Sequence, residues 1–400
     1  MGSLQGLFPP PGPPAKNTIV LSLCSPMAPA AGYMLMRRAV VAASSQHVNQ
    51  LIIPPARVAI SVWHGPEPDM AETDPSKRYG VYKKKSEANN RQYRKLPILV
   101  DEKTCIGKTY IITGGNSGLG LETARHLVSA SAERVVLAVR NLKAGEAAKN
   151  DIEKTTGRKG VVQVRHIDMS TYASVQSFVK KITEELDRID GFVCNAGLMI
   201  DAWSQSEGME TSMFVNVVNT VFLGALMMPK LKDSAIKFSI KPTLVFIVSV
   251  FGYTAKGEMD KSRNGVIFEG LNDQKRANMD SRYALTKLVG ECAVRQFAAL
   301  CPAERTGVVI TMVAPGLCST GLGRDTRTFT KIMHEAVRAM MARTAEVGSR
   351  TILHGLLVGE DGHGKLLSGC KIKEFWVPTW LTDPEGQMLQ KGCRFFSLGF

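Results

Sequence analysis

Tyr283 and Lys287 are the two residues of this 400-residue chain best suited to moving a proton. Four positions apart, they share one face wherever the segment around them is helical. A free tyrosine titrates near about 10, too high for an acid or base working near neutrality. A lysine ammonium beside the phenol favours the phenolate and brings that value down. Ser249 closes the apolar run Thr243–Ser249, where its hydroxyl can donate to an oxygen on which negative charge develops. The Tyr/Lys spacing by itself proves little. Tyr79 and Lys83 repeat it in a basic stretch with no strand or serine beside them, and they are read as solvated surface.

A second chemical element precedes these residues. Lys108–Gly120 reads KTYIITGGNSGLG: an apolar, β-branched run at Tyr110–Thr113, then Gly114, Gly118 and Gly120, then the helix-forming LETARHLVSA. Strand, glycine turn and helix begin a βαβ unit. The glycines let the backbone turn sharply, and they let a pyrophosphate approach the amides at the helix N-terminus. An ordinary glycine-rich turn is the competing reading of the motif by itself.

The elements that must carry these residues alternate from Lys108 onward for some 260 residues. Strands are expected at Arg134–Val139, Val161–His166, Gly191–Cys194, Thr243–Ser249 and Val308–Val313. Helices are expected at Leu142–Thr156, Ser174–Leu186, Gly208–Met228 and Asp280–Leu300. The strands are apolar without alternation, which argues a parallel sheet covered on both faces. The fold class predicted is α/β: a single Rossmann-type, doubly wound parallel sheet of about seven strands.

Taken together, these pieces resemble the short-chain dehydrogenase/reductase family over roughly Gly107–Lys391, most closely its retinol-dehydrogenase-like and fungal natural-product members. Thr113–Gly120 matches the family's TGxxxGxG loop, so the resemblance implies cofactor contacts from Thr113, Gly114, Asn116, Ser117, Gly118, Leu119 and Gly120. Asp168–Ser170 matches the acidic signature after the third strand, whose Asp is expected at the adenine ring. Asn195–Ala196–Gly197 matches the NAG turn beside the cofactor. Asn216, Ser249, Tyr283 and Lys287 fall where the family has its catalytic tetrad. Tyr283 and Lys287 also count as cofactor residues, with Pro315 and Gly316 in the turn under the nicotinamide and Thr320 just beyond. The family implies that Asn216 holds a water linking the lysine to solvent.

Arg140 bears on which nicotinamide is used. NAD-preferring members usually carry an acid after the second strand, but here the strand ends Val139–Arg140–Asn141 and no acid appears until Glu146. A guanidinium there can pair with a 2′-phosphate, with Lys143 assisting, so the cofactor expected is NADP(H). The alternative is an Arg that merely caps a strand end in solvent. The implied reaction interconverts a ketone and a secondary alcohol on a lipophilic small molecule. An NAD-linked alcohol dehydrogenase and a non-catalytic NADPH-binding regulator are the competing readings. The intact Ser249, Tyr283 and Lys287 argue against the regulator, which has no chemical need of all three.

Composition fits this picture. At 44% hydrophobic and 22% charged the chain can build a large core, and its net charge of +14 is spread out. The densest basic run, Lys83–Lys85 with Arg91, Arg94 and Lys95, has only Tyr82 and Tyr93 as stacking aromatics, so nucleic acid is not an expected partner. Eight cysteines form no CxxC pair and no zinc spacing; no metal is expected, and reduced thiols in the cytoplasm are. Residues 1–69 have no acid before Glu67 and open on FPPPGPP. They are read as a disordered or non-native leader, with an organelle transit peptide as the alternative. The run Thr18–Met36 has two prolines and makes a poor membrane span, so no integral span is expected. Residues 70–106 are read as a basic polar arm, 107–391 as the domain and 392–400 as an atypical tail. Ser319–Ala342 is the expected lid, with Met333, Met340 and Met341 as its apolar face, and Phe251–Arg282 an insert bordering the pocket. A homodimer is the assembly expected, if any.

Overall fold

Eight strands form one sheet, with helices packed on its two sides. The computed structural model describes residues 18–23, 37–42, 95–261, 267–323 and 342–393. The strands are β1 (Thr109–Thr113), β2 (Arg134–Val139), β3 (Val162–His166), β4 (Gly191–Cys194), β5 (Thr243–Ile247), β6 (Val309–Val313), β7 (Leu366–Ser368) and β8 (Lys371–Ile372). Their order is 8-7-6-5-4-1-2-3. β1 to β7 are parallel, and the short β8 pairs antiparallel with β7. The expected seven parallel strands therefore gain one antiparallel edge.

The strand sequences explain their depth. TYIIT and RVVLAV are buried at nearly every position, because helices cover both faces of a parallel sheet. Successive side chains divide between two layers. Tyr110, Ile112, Val135, Leu137, Val193 and Val245 join one core with α1 (Gly118–Ser129), α2 (Leu142–Thr156) and α6 (Ala345–Leu357). Phe246 points the other way and meets Phe297 of α5 (Met279–Leu300) edge-to-face at 6.1 Å. α3 (Tyr172–Glu185) and α4 (Thr220–Phe238) pack against one another.

Several boundaries differ from the sequence expectation. The helix expected to stop at Met228 runs through Pro229 to Phe238. Pro229 forfeits one backbone hydrogen bond, but Leu231 and Ala235 beyond it are buried and hold the helix on course. It follows directly on a π-helical segment, Phe214–Asn219, so one long helical stretch extends from Thr211 to Phe238. That stretch is long and apolar enough to cross a membrane, yet most of it is buried in the protein. The end of the basic arm is not a surface feature: Leu96, Val100 and Cys105 are buried, and Asp101 and Thr104 form a capping box around a short helix at Glu102–Cys105. The domain therefore begins at least ten residues before Gly107.

Two compact units are distinguished, the first holding the described leader residues and the second the sheet and its helices. In the first, Thr18–Leu23 pairs antiparallel with Arg37–Ala42, so the leader expected to lack regular structure carries a strand pair. The rest of the leader, the Tyr79/Lys83 pair, most of the basic run and the tail beyond Cys393 lie outside the described residues. So do Met333, Met340 and Met341 of the expected lid.

Candidate active site

The C-terminal ends of the parallel strands bring the sequence-predicted residues together. The strand order reverses between β1 and β4, the crevice where open α/β sheets bind ligands. There the Thr113 hydroxyl accepts hydrogen bonds from the amides of Asn195 and Ala196, both at 2.9 Å, and the Asn195 side chain donates to the Thr113 carbonyl at 2.8 Å. The glycine loop and the NAG turn are thus one unit.

Two of the glycines are demanded by shape. A Cβ on Gly120 would lie 2.6 Å from both the Gly114 carbonyl and the Asn195 side chain. Gly118 has φ of 55°, and a Cβ there would meet Thr320 at 3.2 Å. Thr320 thereby stands at the mouth of α1, beside the loop. Ser117 caps α1 without a side-chain hydrogen bond, so the first-turn amides have no side-chain acceptor from their cap residue. A bare backbone cradle at the N-terminus of a 12-residue helix is the donor set a pyrophosphate takes. Asn116 lies in the same turn, and Leu119, the second residue of α1, packs against the core.

The remaining cofactor candidates follow along the strand ends. Arg140, just past β2, is exposed and makes no hydrogen bond or ion pair with any described residue. Lys143, also exposed, lies in the first turn of α2, which Asn141 caps. Beyond β3, one oxygen of Asp168 accepts from the Ser170 amide and hydroxyl at 2.9 and 2.8 Å, fixing the carboxylate. Past β6, Gly316 takes φ of 85°, and the Arg343 guanidinium donates to the Pro315 carbonyl at 3.0 Å. Cys318 sits against the same carbonyls, and burial pushes its thiol up to about 11, which leaves it a poor nucleophile.

Lys287 and Ser249 lie at the end of β5, with Tyr283 beside Lys287. Lys287 Nζ donates to the Ile247 carbonyl at 2.9 Å and lies 5.7 Å from the centre of the Tyr283 ring. Desolvation lowers Lys287 from the usual lysine range to about 8. Two residues beyond Ile247, the half-buried Ser249 begins a 3-10 turn at Val250–Ala255, and its hydroxyl accepts from the Phe251 amide at 3.3 Å. Asn216 lies in the π-helical segment, a register shift often found at functional positions. Its side chain accepts from the Leu198 amide at 2.9 Å and donates to the Leu198 carbonyl at 2.8 Å and the Thr286 hydroxyl at 3.1 Å. The Asn216 side chain is therefore committed to the loop after the NAG turn and to the residue before Lys287. Thr286 and Leu198 were not singled out from the sequence. Thr286 precedes Lys287 in YALTK, but nothing about a lone threonine signals an amide partner 70 residues away.

The short chain dehydrogenase family profile matches residues 108–260. The chain is 42% identical over 288 residues to the short chain dehydrogenase/reductase dmxR8 of Cryptosporiopsis sp., covering 71% of this chain and 87% of that protein. It is 40% identical over 281 residues to the short chain dehydrogenase atnD of Emericella nidulans, covering 69% and 88%. Among solved structures, a short chain dehydrogenase from Escherichia coli complexed with NADPH superposes with a TM-score of 0.50 at 21% identity, over 67% of this chain and 99% of that one. At that identity the likeness concerns the fold.

Proposed function

The chain belongs to the short-chain dehydrogenase/reductase family and is an oxidoreductase, and from that premise we propose that it is an NADP(H)-dependent enzyme interconverting a ketone and a secondary alcohol on a lipophilic small molecule. The observation that carries the proposal is that Lys287, 5.7 Å from the Tyr283 ring, is bonded to the last carbonyl of β5, two residues before Ser249.

Thr113–Gly120, Asp168, Asn195 and Pro315–Gly316 would hold the dinucleotide, with Arg140 and Lys143 at its 2′-phosphate. When bound, the nicotinamide supplies a hydride to a carbonyl carbon, or accepts one in the reverse direction. Ser249 donates a hydrogen bond to the carbonyl oxygen and fixes its direction. As the carbon is reduced, Tyr283 gives its phenolic proton to that oxygen and is left as the phenolate. Lys287, charged below its value of about 8, stabilises that phenolate through the ring it faces. In oxidation the same proton returns to Tyr283. Phe251, 55% exposed just past Ser249, and Leu317, 41% exposed just past Gly316, support an apolar substrate. A place in natural-product biosynthesis is part of the proposal and rests on the family resemblance.

The test is NADPH-supported reduction of an aromatic o-quinone such as phenanthrenequinone, with a panel of aryl ketones, by the protein and its Tyr283→Phe variant. The variant is expected to bind NADPH normally and to turn over about a hundredfold more slowly. Near-normal turnover by Tyr283→Phe would refute the mechanism.

A further inference from the structure

Ser249 stands on a short turn that needs an external fixing point. Its own hydroxyl accepts one hydrogen bond, at 3.3 Å, from an amide two residues away. The turn is pressed against α5: a Cβ on Gly252 would sit 2.7 Å from the Leu288 amide nitrogen, backbone against backbone, next to Lys287. One residue further, Tyr253 Oη donates to Glu291 Oε1 at 3.0 Å. Glu291 lies one helical turn beyond Lys287 on the same helix and is wholly buried.

Glu291 is itself held from behind. Arg295 donates to Glu291 Oε1 from Nε at 3.1 Å and from Nη2 at 3.0 Å, and to Glu374 Oε1 from Nη1 at 2.6 Å. Glu374 Oε2 accepts from the amide of Leu366, the first residue of β7. The chain of contacts therefore runs from the Ser249 turn through α5 to the sheet. Glu291 Oε2 is buried with no hydrogen-bond partner among the described residues. A buried carboxylate with one free oxygen is a costly way to gain stability, since replacing the Glu291–Arg295 pair together by apolar side chains of similar size would serve as well or better. Burial raises the Tyr253 phenol, which therefore stays protonated and donates to Glu291.

We propose that Tyr253 and Glu291 are positioning residues: their hydrogen bond locks the turn bearing Ser249 onto the helix bearing Tyr283 and Lys287, and so sets the distance between the hydroxyl that orients the substrate and the phenol that exchanges its proton. The inference rests on the function proposed above. It explains why a polar pair occupies a buried seam that close packing at Gly252 already brings together. Loss of the pair leaves the seam packed and the cofactor cradle untouched, because the glycine loop lies on β1 and α1. It frees the Ser249 turn to shift by a fraction of an ångström, enough to cost about tenfold in rate where reacting groups must be aligned.

The experiment is a double-mutant cycle on phenanthrenequinone reduction with Tyr253→Phe, Glu291→Leu and the double variant, alongside NADPH titration and amide hydrogen exchange of Val250–Ala255. Each single variant is expected to lose about tenfold in kcat, with the NADPH Kd unchanged and exchange in the turn accelerated. The double variant is expected to lose no more than either single one, because both remove the same contact. Glu291→Gln keeps an acceptor for Tyr253 and is expected to retain most of kcat. Should Glu291→Leu fail to fold, Gly252→Ala, which drives the turn off Leu288, is expected to reproduce the kcat loss and the faster exchange seen in Tyr253→Phe. Unchanged kcat and exchange in Tyr253→Phe, or fully additive losses in the double variant, would overturn the inference. Tyr283→Phe runs in the same assay: activity there refutes the proposed chemistry, whereas an inactive Tyr283→Phe beside a fully active Tyr253→Phe refutes only the lock.

Discussion

Replacing Arg140 by Asp is expected to exchange the preference for NADPH for one for NADH. Arg140 suits such a test because the fold does not use it: the side chain is exposed and bonds to no described residue. Its neighbours are secured without it. Val139 is buried in the sheet, and Asn141 caps α2 by accepting from the Ala144 amide at 3.0 Å. The unfolding midpoint of Arg140→Asp is therefore expected to match that of the parent. A guanidinium facing a 2′-phosphate contributes one or two charge-assisted hydrogen bonds, weakened at so exposed a position by water and salt. The NADPH Kd should rise on the order of ten- to a hundredfold. The new carboxylate can accept from ribose hydroxyls, so NADH should bind better than before. Fluorescence titration of both cofactors into both proteins, at low and high salt, reads this without any substrate. The NADPH penalty should shrink as salt rises. Equal losses for both cofactors, or an unaltered ratio, would remove Arg140 from the site.

Three further outcomes follow from the same geometry. Gly120→Ala should abolish NADPH binding and cost about 1–3 kcal/mol of stability, since its Cβ would stand 2.6 Å from the Gly114 carbonyl; a stable, cofactor-binding variant in a urea melt and titration would contradict it. Lys287 has a folded-state value of about 8 against 10.5 ordinarily, so between those pH values the unfolded chain holds a proton that the folded chain has released. Stability from this group must then rise with pH across that window, and Lys287→Met should flatten the rise in urea midpoints measured from pH 7.5 to 10.5. A chain starting at Met70 is expected to fold and keep activity, whereas one starting at Gly107 exposes the core sites of Leu96, Val100 and Cys105 and should be lost to the insoluble fraction. Equal solubility of the two would show that these side chains are dispensable.

Local chemistry made much of this protein legible in its sequence. Arg134–Val139 and Leu142–Thr156 have the predicted bounds, because β-branched runs, an Asn cap and a closing Gly157 act within a few residues. The glycine spacing at the start of α1 and the four-residue interval from Tyr283 to Lys287 are likewise local, and strand, turn and helices stand where the sequence put them. What the sequence left open depends on partners far away along the chain. Helix α4 outlasts Pro229 because distant apolar neighbours bury Leu231 and Ala235, and no window of sequence contains them. Leu96–Val100 is an apolar run at the end of a basic arm, but which of its side chains enter the core is decided only by packing: Leu96 and Val100 are buried while Ile98 and Leu99 stay exposed.

The candidate site divides the same way. Residue type and spacing named Ser249, Tyr283 and Lys287, and the family resemblance named Asn216, yet only the tertiary structure commits the Asn216 amide to Leu198 and Thr286 and lowers Lys287 by desolvation. Tyr253 and Glu291 carry no signature at all, since a tyrosine and a glutamate 38 positions apart become a pair only when the turn after β5 lies against α5. Periodicity, capping and glycine placement are properties of neighbouring residues. Desolvation and hydrogen-bond partnership belong to the volume around a side chain, which exists only once the sheet and its helices have closed on it.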